Sequence, residues 1–373
     1  MTHEPTRILI VDDSRIFRGI LESAFANISD IVVLGSVFNG EKAIEFLKRS
    51  PVDLVTLDLE MPGMDGLATL RAIRELNRSK PNSPPIEVIL ISSLTTQGAR
   101  CTVEGLQLGA IDFILKPSNG TESQNKASLE KTLNEKLQIF KHKRFGLQES
   151  LSMKVAPASI KAEVASKLAA NNLPSKPPGI YQAIAIGIST GGPETLTQLL
   201  PELVGKTTVP IFIVQHILSG LSSYFAESLS RRLSHPIVEA KDDMAVTPGG
   251  IYLAQSGCHM ILRRKEGKIM IGLSNAPPEN HSRPAVDVFL RSAAAIYGSS
   301  LIAAIMTGML NDGANGVRAV KRAGGFVIAQ DQATSIIWGM PRAAIETGSV
   351  DVVLPLDQFA STFLRLVGSA KQA

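Results

Sequence analysis

Ser189, His216 and Asp312 stand far apart in the chain, yet they are the residue types that together make an acyl-transfer centre. A serine hydroxyl is a poor nucleophile until an imidazole accepts its proton. That imidazole works better when a buried carboxylate fixes its tautomer and stabilises the imidazolium. Each of the three follows an apolar run that reads as a buried strand: Ala183 to Gly187 before Ser189, Val209 to Val214 before His216, and Ser300 to Met306 before Asp312. Ser189 also lies in Gly187-Ile-Ser-Thr-Gly-Gly-Pro193, a sharp turn into a helix with proline where the first turn tolerates it. A hydroxyl there could be a phosphate ligand, a helix N-cap or a nucleophile whose oxyanion meets free amides, and the local sequence does not choose among them. Singly, His216 reads as a structural histidine and Asp312 as a turn or helix cap. Their joint placement at three strand ends makes the triad the better account. Gly187 to Gly191 fits the nucleophile-elbow pattern, but the order serine, histidine, aspartate is not that of an α/β-hydrolase. A dinucleotide site is disfavoured because the full G-x-G-x-x-G spacing fails.

A second constellation occupies the first third. Asp12 and Asp13 follow the run Arg7 to Val11, Asp58 follows Leu54 to Leu57, Ser92 follows Val88 to Ile91, and Lys116 follows Asp112 to Leu115. Carboxylates gathered in one crevice repel unless something positive joins them, and hard oxygen ligands suit Mg²⁺. Lys116 and Ser92 could then hold phosphoryl oxygens.

The elements that must position these groups follow from the spacing of the apolar runs. Five strands separated by helix-length segments predict βα units on a parallel sheet, with the crevice at the strands' carboxyl ends. Leu129, Leu133, Leu137 and Phe140 predict an amphipathic helix closing this part. The cluster Lys141 to Arg144 reads as a solvated helix end. A Pro-rich polar stretch ending at Gly179 reads as a linker, so the expected division is 1–144, a linker over 145–179, and 180–373. In the last part, helices are expected at Glu194 to Leu200, Ser222 to Leu233, Ala285 to Tyr297 and Gly313 to Ala323. Further strands are expected at Gly250 to Leu253, Ile269 to Leu273 and Phe326 to Ala329, giving a mostly parallel α/β sheet with an antiparallel hairpin around 250 to 273.

With 44% hydrophobic and 19% charged residues, the 373-residue chain can bury sizeable cores. Its net charge of +4 comes from near-balanced 38 basic and 34 acidic residues, so nucleic acid is not an expected partner. The 2 cysteines, Cys101 and Cys258, fall in different expected domains and read as free thiols. No secretory pattern precedes the first strand and no apolar run could span a bilayer, so a cytoplasmic protein without membrane insertion is expected.

The acidic cluster, with Asp58-Leu-Glu-Met-Pro-Gly-Met-Asp-Gly66 and Lys116-Pro117, resembles the receiver domain of two-component response regulators. The resemblance implies a flavodoxin-like fold in which Asp58 accepts the phosphoryl group. It also implies that Asp12, Asp13, Asp58 and the Glu60 backbone carbonyl hold Mg²⁺, with Asp12 acting through the metal's water. GISTGGP, VQH and TGM..NDGA, with Ile251 to Met260 and His281 to Asp287, resemble the catalytic domain of the CheB family of chemotaxis protein-glutamate methylesterases. That implies a doubly wound α/β domain without a cofactor, in which Ser189 attacks a glutamyl methyl ester of a chemoreceptor. His216 then shuttles the proton, Asp312 orients His216, and the backbone amides of Thr190 and Met309 hold the oxyanion. Glutamine deamidation is the same chemistry on a carboxamide. Two departures from the family pattern are Leu310, where a glycine is frequent, and Gln255, where a proline is. The implied partners are methyl-accepting chemoreceptors and a phosphodonor histidine kinase. The chain is expected to be a monomer whose unphosphorylated receiver covers the triad edge. The alternatives are a non-catalytic response regulator that binds a partner through the last domain's cleft, or an esterase for another ester.

Overall fold

A computed structural model describes residues 4–93, 95–117, 122–145 and 181–368. The expected linker lies outside the described residues apart from its first position. The chain divides into two compact units, Met1–Leu147 and Gln148–Ala373.

In the first unit, strands β1 (Thr6–Val11), β2 (Ile31–Val37), β3 (Leu54–Asp58), β4 (Glu87–Ser92) and β5 (Asp112–Leu115) alternate with helices α1 (Arg15–Ala26), α2 (Gly40–Arg49), α3 (Gly66–Ser79), α4 (Thr96–Gln107) and α5 (Glu122–Phe145). All pair in parallel, in the order β2-β1-β3-β4-β5. Helices on both faces explain why the inner strands read as unbroken apolar runs: Ile8 to Val11 are wholly buried. The amphipathic spacing in α5 holds, with Leu129, Leu133, Leu137 and Phe140 all buried. Arg144 departs from the solvated-end reading. Its guanidinium lies 2.6 Å from Asp53 Oδ1, and the same carboxylate takes Arg7 Nε at 2.8 Å.

The second unit opens with β6 (Ala183–Ile188), α6 (Gly192–Leu199), β7 (Ile211–Gln215), α7 (Ser222–Leu233), β8 (Ile237–Glu239), β9 (Met244–Ala245), β10 (Ile251–Leu253), β11 (His259–Lys265) and β12 (Lys268–Ser274). It continues with α8 (Val286–Tyr297), β13 (Leu301–Ile305), α9 (Ala314–Arg322), β14 (Phe326–Gln330), α10 (Gly339–Glu346), β15 (Val352–Leu354) and α11 (Phe359–Val367). Seven strands form a parallel sheet in the order β15-β14-β13-β6-β7-β10-β8. The expected antiparallel hairpin is shifted. β10 joins the parallel sheet between β7 and β8, and the hairpin is β11-β12, with β9 as its third strand. In the core, the Phe212 ring stacks on Tyr252 and tilts against Phe289, with its centroid 5.5 Å from each.

Candidate active site

β6 lies between β13 and β7, so the sheet reverses its winding direction there and opens a crevice at the carboxyl ends of these three strands. Ser189, His216 and Asp312 follow those same strands. His216 Nε2 lies 2.8 Å from Asp312 Oδ2. A carboxylate can only accept, so Nε2 carries the proton and Nδ1 is the nitrogen left free to act as base. Among the described residues no hydrogen bond joins Ser189 Oγ to the ring.

Asp312 is buried and richly solvated by protein. Oδ2 also accepts from the Val286 amide at 2.7 Å; Oδ1 accepts from the amides of Asp287 at 3.0 Å and Gly313 at 2.9 Å, and from Asn280 Nδ2 at 2.9 Å. Two of these amides open α8, whose dipole favours an anion. Burial alone would raise this carboxyl, but the bond and charge of His216, with the Asp287 and Val286 amides, hold it below the usual carboxylate value.

The turn carrying Ser189 is fixed by neighbours that spacing does not reveal. Its amide donates to the Thr307 carbonyl at 2.9 Å, and Gln215 Nε2 donates to both the Ser189 and His216 carbonyls, at 2.9 and 2.8 Å. Gln215 packs so close to Gly192 that a Cβ there would fall 1.9 Å from its Oε1. Gly308 is equally confined, since a Cβ would sit 2.8 Å from Ser189 Cβ and 2.3 Å from Met340 Sδ. The Gly192 amide is taken by the Ser189 carbonyl and the Gly308 amide by that of Ile337. Among the described residues no protein acceptor takes the amides of Thr190 or Met309. Leu310 adopts φ 66 and is half exposed, a left-handed leucine beside Met309; Leu218, two residues after His216, is exposed as well.

In the first unit, the ligand oxygens of Asp12, Asp13 and Asp58 lie within 4.8 Å of one another. Lys116 Nζ stands 2.7 Å from Asp58 Oδ2 and 2.9 Å from Asp12 Oδ2, the latter contact lacking hydrogen-bond alignment. One lysine against three carboxylates leaves a negative pocket of hard oxygens, a donor set that fits Mg²⁺. The Glu60 amide points at Asp58 Oδ1 from 3.3 Å, so its peptide borders the pocket, while its side chain accepts from Ser93 and Thr95. Ser92 is at the expected strand end, but its hydroxyl turns into α4. It accepts from Thr102 Oγ1 at 2.7 Å and reaches the Gly98 carbonyl at 3.3 Å.

Comparison with known proteins matches residues 184–363 to the CheB methylesterase family and residues 8–128 to the response regulator receiver domain. The chain is 37% identical over 365 residues to the protein-glutamate methylesterase/protein-glutamine glutaminase of Trichodesmium erythraeum, covering 97% of this chain and 99% of that one. The chain belongs to this family. A Pyrococcus abyssi protein of the same name is 36% identical, with 98% of this chain and 95% of that one covered. The crystal structure of the Thermotoga maritima CheB methylesterase catalytic domain is 39% identical, covers 50% of this chain and 99% of that one, and superposes with TM-score 0.49.

Two further side chains of the second unit find definite places. His259 is wholly buried and structural: its Nδ1 accepts from the Ala285 amide at 3.1 Å and its Nε2 faces the Pro277 carbonyl at 3.0 Å. Trp338 is only half-buried, bonded through Nε1 to the Gln330 carbonyl, while Met340 supplies the packed surface against Gly308. Sequence reasoning missed Gln215, Thr307 and Asn280 as supports. Their side chains act across 26, 117 and 32 positions respectively, so no local pattern marks them.

The acidic pocket has a measurable consequence. Burial pushes the Asp58 carboxyl up to about 6, with Lys116 opposing and the charge of Asp12 adding to the rise. A carboxyl raised in the fold binds more protons folded than unfolded, so its charged form costs stability above about pH 6, and that cost fades as pH falls towards its ordinary value. Mg²⁺ is therefore expected to raise the thermal midpoint of the receiver unit clearly at pH 7.5. At pH 5, where a proton must first leave Asp58, the gain should be small. Calorimetry of the full chain with and without Mg²⁺ at both pH values checks this.

Proposed function

We propose that this chain is a serine hydrolase that removes methyl groups from glutamyl methyl esters of methyl-accepting chemoreceptors, releasing methanol, and deamidates receptor glutamines by the same route. Phosphorylation of Asp58 by a histidine kinase is its switch. The observation that carries the reading is the His216 Nε2 to Asp312 Oδ2 contact of 2.8 Å at the carboxyl end of the strand that precedes Ser189.

In this mechanism Ser189 Oγ attacks the ester carbonyl while its proton passes to His216 Nδ1, and Asp312 stabilises the imidazolium through Nε2. The tetrahedral oxyanion meets the amides of Thr190 and Met309; losing one donor of this kind costs ~10²-fold or more. Nδ1 then gives its proton to the departing methoxide, leaving methanol and an acyl-serine. Water attacks that acyl group, its proton again going to Nδ1 and then to Ser189 Oγ, and a glutamate side chain leaves. With glutamine the departing group is ammonia.

In the receiver, Asp12, Asp13, Asp58 and the Glu60 carbonyl would hold Mg²⁺. When bound, the ion supplies positive charge to the phosphoryl oxygens and lowers the repulsion that Asp58 meets as a nucleophile. Lys116 holds a phosphoryl oxygen, and Ser92 reaches another by leaving Thr102 and Gly98. No helix among the described residues is long and apolar enough to cross a membrane.

The test is release of methanol from methylated receptor membranes, with and without a small-molecule phosphodonor and Mg²⁺. Release that rises with phosphodonor supports both halves of the reading. No release from the folded chain with any receptor preparation would favour a partner-binding regulator or an esterase for another ester.

A further inference from the structure

Asp312 shares its buried corner with a second carboxylate. Asp287, in the first turn of α8, is wholly buried. Its Oδ1 accepts from the Gly316 amide at 2.6 Å and its Oδ2 from Asn280 Nδ2 at 2.9 Å. The same Asn280 nitrogen lies 2.9 Å from Asp312 Oδ1. One side-chain amide thus gives both of its N–H groups to two carboxylates, which would otherwise repel in surroundings where charge is poorly screened. Burial raises the Asp287 carboxyl, the Gly316 amide and Asn280 work against that, and the charges of Asp312 and Glu279 raise it again.

Asn280 is held in place by its surroundings. Its backbone φ is 52, in the left-handed region that asparagine tolerates better than most residues. Next to it, Glu279 forms a two-pronged ion pair with Arg291 of α8, at 2.7 and 2.6 Å. On the other side, the buried His259 ring spans from the Pro277 carbonyl to the Ala285 amide. These contacts set the 277–285 segment over α8, and Asn280 with it. The charged and titratable groups around the two carboxylates are therefore His216, Glu279, Arg291 and His259.

Resting on the serine hydrolase reading above, we propose that Asn280 is a positioning residue: by bridging Asp287 and Asp312 it keeps Asp312 aimed at His216 Nε2. Without the bridge, the two like charges relax by Asp312 Oδ1 turning away from Asp287, which takes Oδ2 out of line with His216 Nε2. That turn weakens stabilisation of the imidazolium that forms as Ser189 attacks. Because that charge exists only after proton transfer begins, the loss falls on kcat and spares KM.

The test uses the full chain and methanol release. Glycine adopts a φ of 52 without strain, so Asn280→Gly removes the amide and spares the backbone. Its kcat is expected to fall ~10- to 100-fold with KM within about twofold, the usual size of losing a hydrogen bond to a buried charge. Adding Asp287→Asn to this variant removes the competing charge and should recover about tenfold in kcat, whereas a purely structural role predicts a further loss. Asn280→Asp, which fits the same space and backbone but replaces the donor with a third carboxylate, should fall below Asn280→Gly. Wild-type kcat in Asn280→Gly, or an additive loss in the double variant, overturns the bridge. Should Asn280→Gly not fold, Asn280→Asp carries the test, a kcat loss at constant KM supporting the proposal and wild-type kcat overturning it. Absence of methanol release from the wild type would sink the hydrolase reading itself, so the two failures are distinguishable.

Discussion

Ser189→Ala is expected to lower kcat for methanol release by ~10⁴-fold or more while leaving receptor binding and thermal stability close to wild type. The hydroxyl is half-exposed in a turn whose backbone is fixed by Thr307, Gln215 and Gly192, so its removal leaves those bonds intact. Asp312→Asn should behave differently. Catalytically it costs on the order of 10⁴-fold, because an amide cannot enforce the tautomer with its proton on Nε2. It should also destabilise the fold. The carboxylate accepts from His216, Val286, Asp287, Gly313 and Asn280, all donors, and an asparagine nitrogen placed among them leaves at least one donor facing another. A buried donor left unmatched costs about 1–3 kcal/mol, and several degrees in the midpoint of this unit. Combining Ser189→Ala with Asp312→Asn should lower kcat scarcely further than Ser189→Ala alone, since residues that act as one unit are not additive. Kinetics and calorimetry on the three variants check this. A Ser189→Ala enzyme with more than a hundredth of wild-type kcat would remove the serine from the mechanism.

The parts of this centre that could be read from the chain are those dictated by local pattern. β6, β7 and β13 are buried on both faces, so they appear as apolar runs, and the residue types at their ends stand out against them. The receiver pocket is legible for the same reason, through β1, β3 and β5. What escaped the reading depends on contacts distant in sequence. β8 and β10 are three residues each, too short for a period of two to show, so the spacing places β10 in a hairpin that β11 and β12 actually form. Which nitrogen of His216 faces Asp312 depends on ring orientation. Ser92 stands at the carboxyl end of β4 where the apolar run ends, yet Thr102, 10 residues on, decides where its hydroxyl points. Arg144 looks like a solvated end until Asp53, 91 positions earlier, proves to be its partner. Asn280 gave no signal because its two partners gain meaning only once α8 is docked beside the β13 loop.

Asp58→Asn is expected to abolish the phosphodonor-dependent rise in methanol release while leaving the basal rate near wild type. Asp58 is almost wholly buried, with Oδ2 2.7 Å from Lys116 Nζ, and only a carboxylate oxygen can form the acyl phosphate there. At pH 7.5 the carboxyl, pushed up to about 6, is ionised and nucleophilic; below about pH 6 it holds a proton, and transfer of the phosphoryl group should slow accordingly. The amide leaves Lys116 its contact with Asp12 at 2.9 Å, so the pocket retains its lysine. In the wild type, coupling between two sites commonly amounts to 5- to 150-fold, so a phosphodonor-driven rise of ~10-fold or more is expected, against none in Asp58→Asn. The same measurement separates the switch from the chemistry. Ser189→Ala should take up phosphate on Asp58 normally and release no methanol, whereas Asp58→Asn should release methanol at the basal rate and take up no phosphate. A full phosphodonor response in Asp58→Asn would place the acceptor elsewhere, and Asp13, exposed at the mouth of the same cluster, would be the next carboxylate to replace.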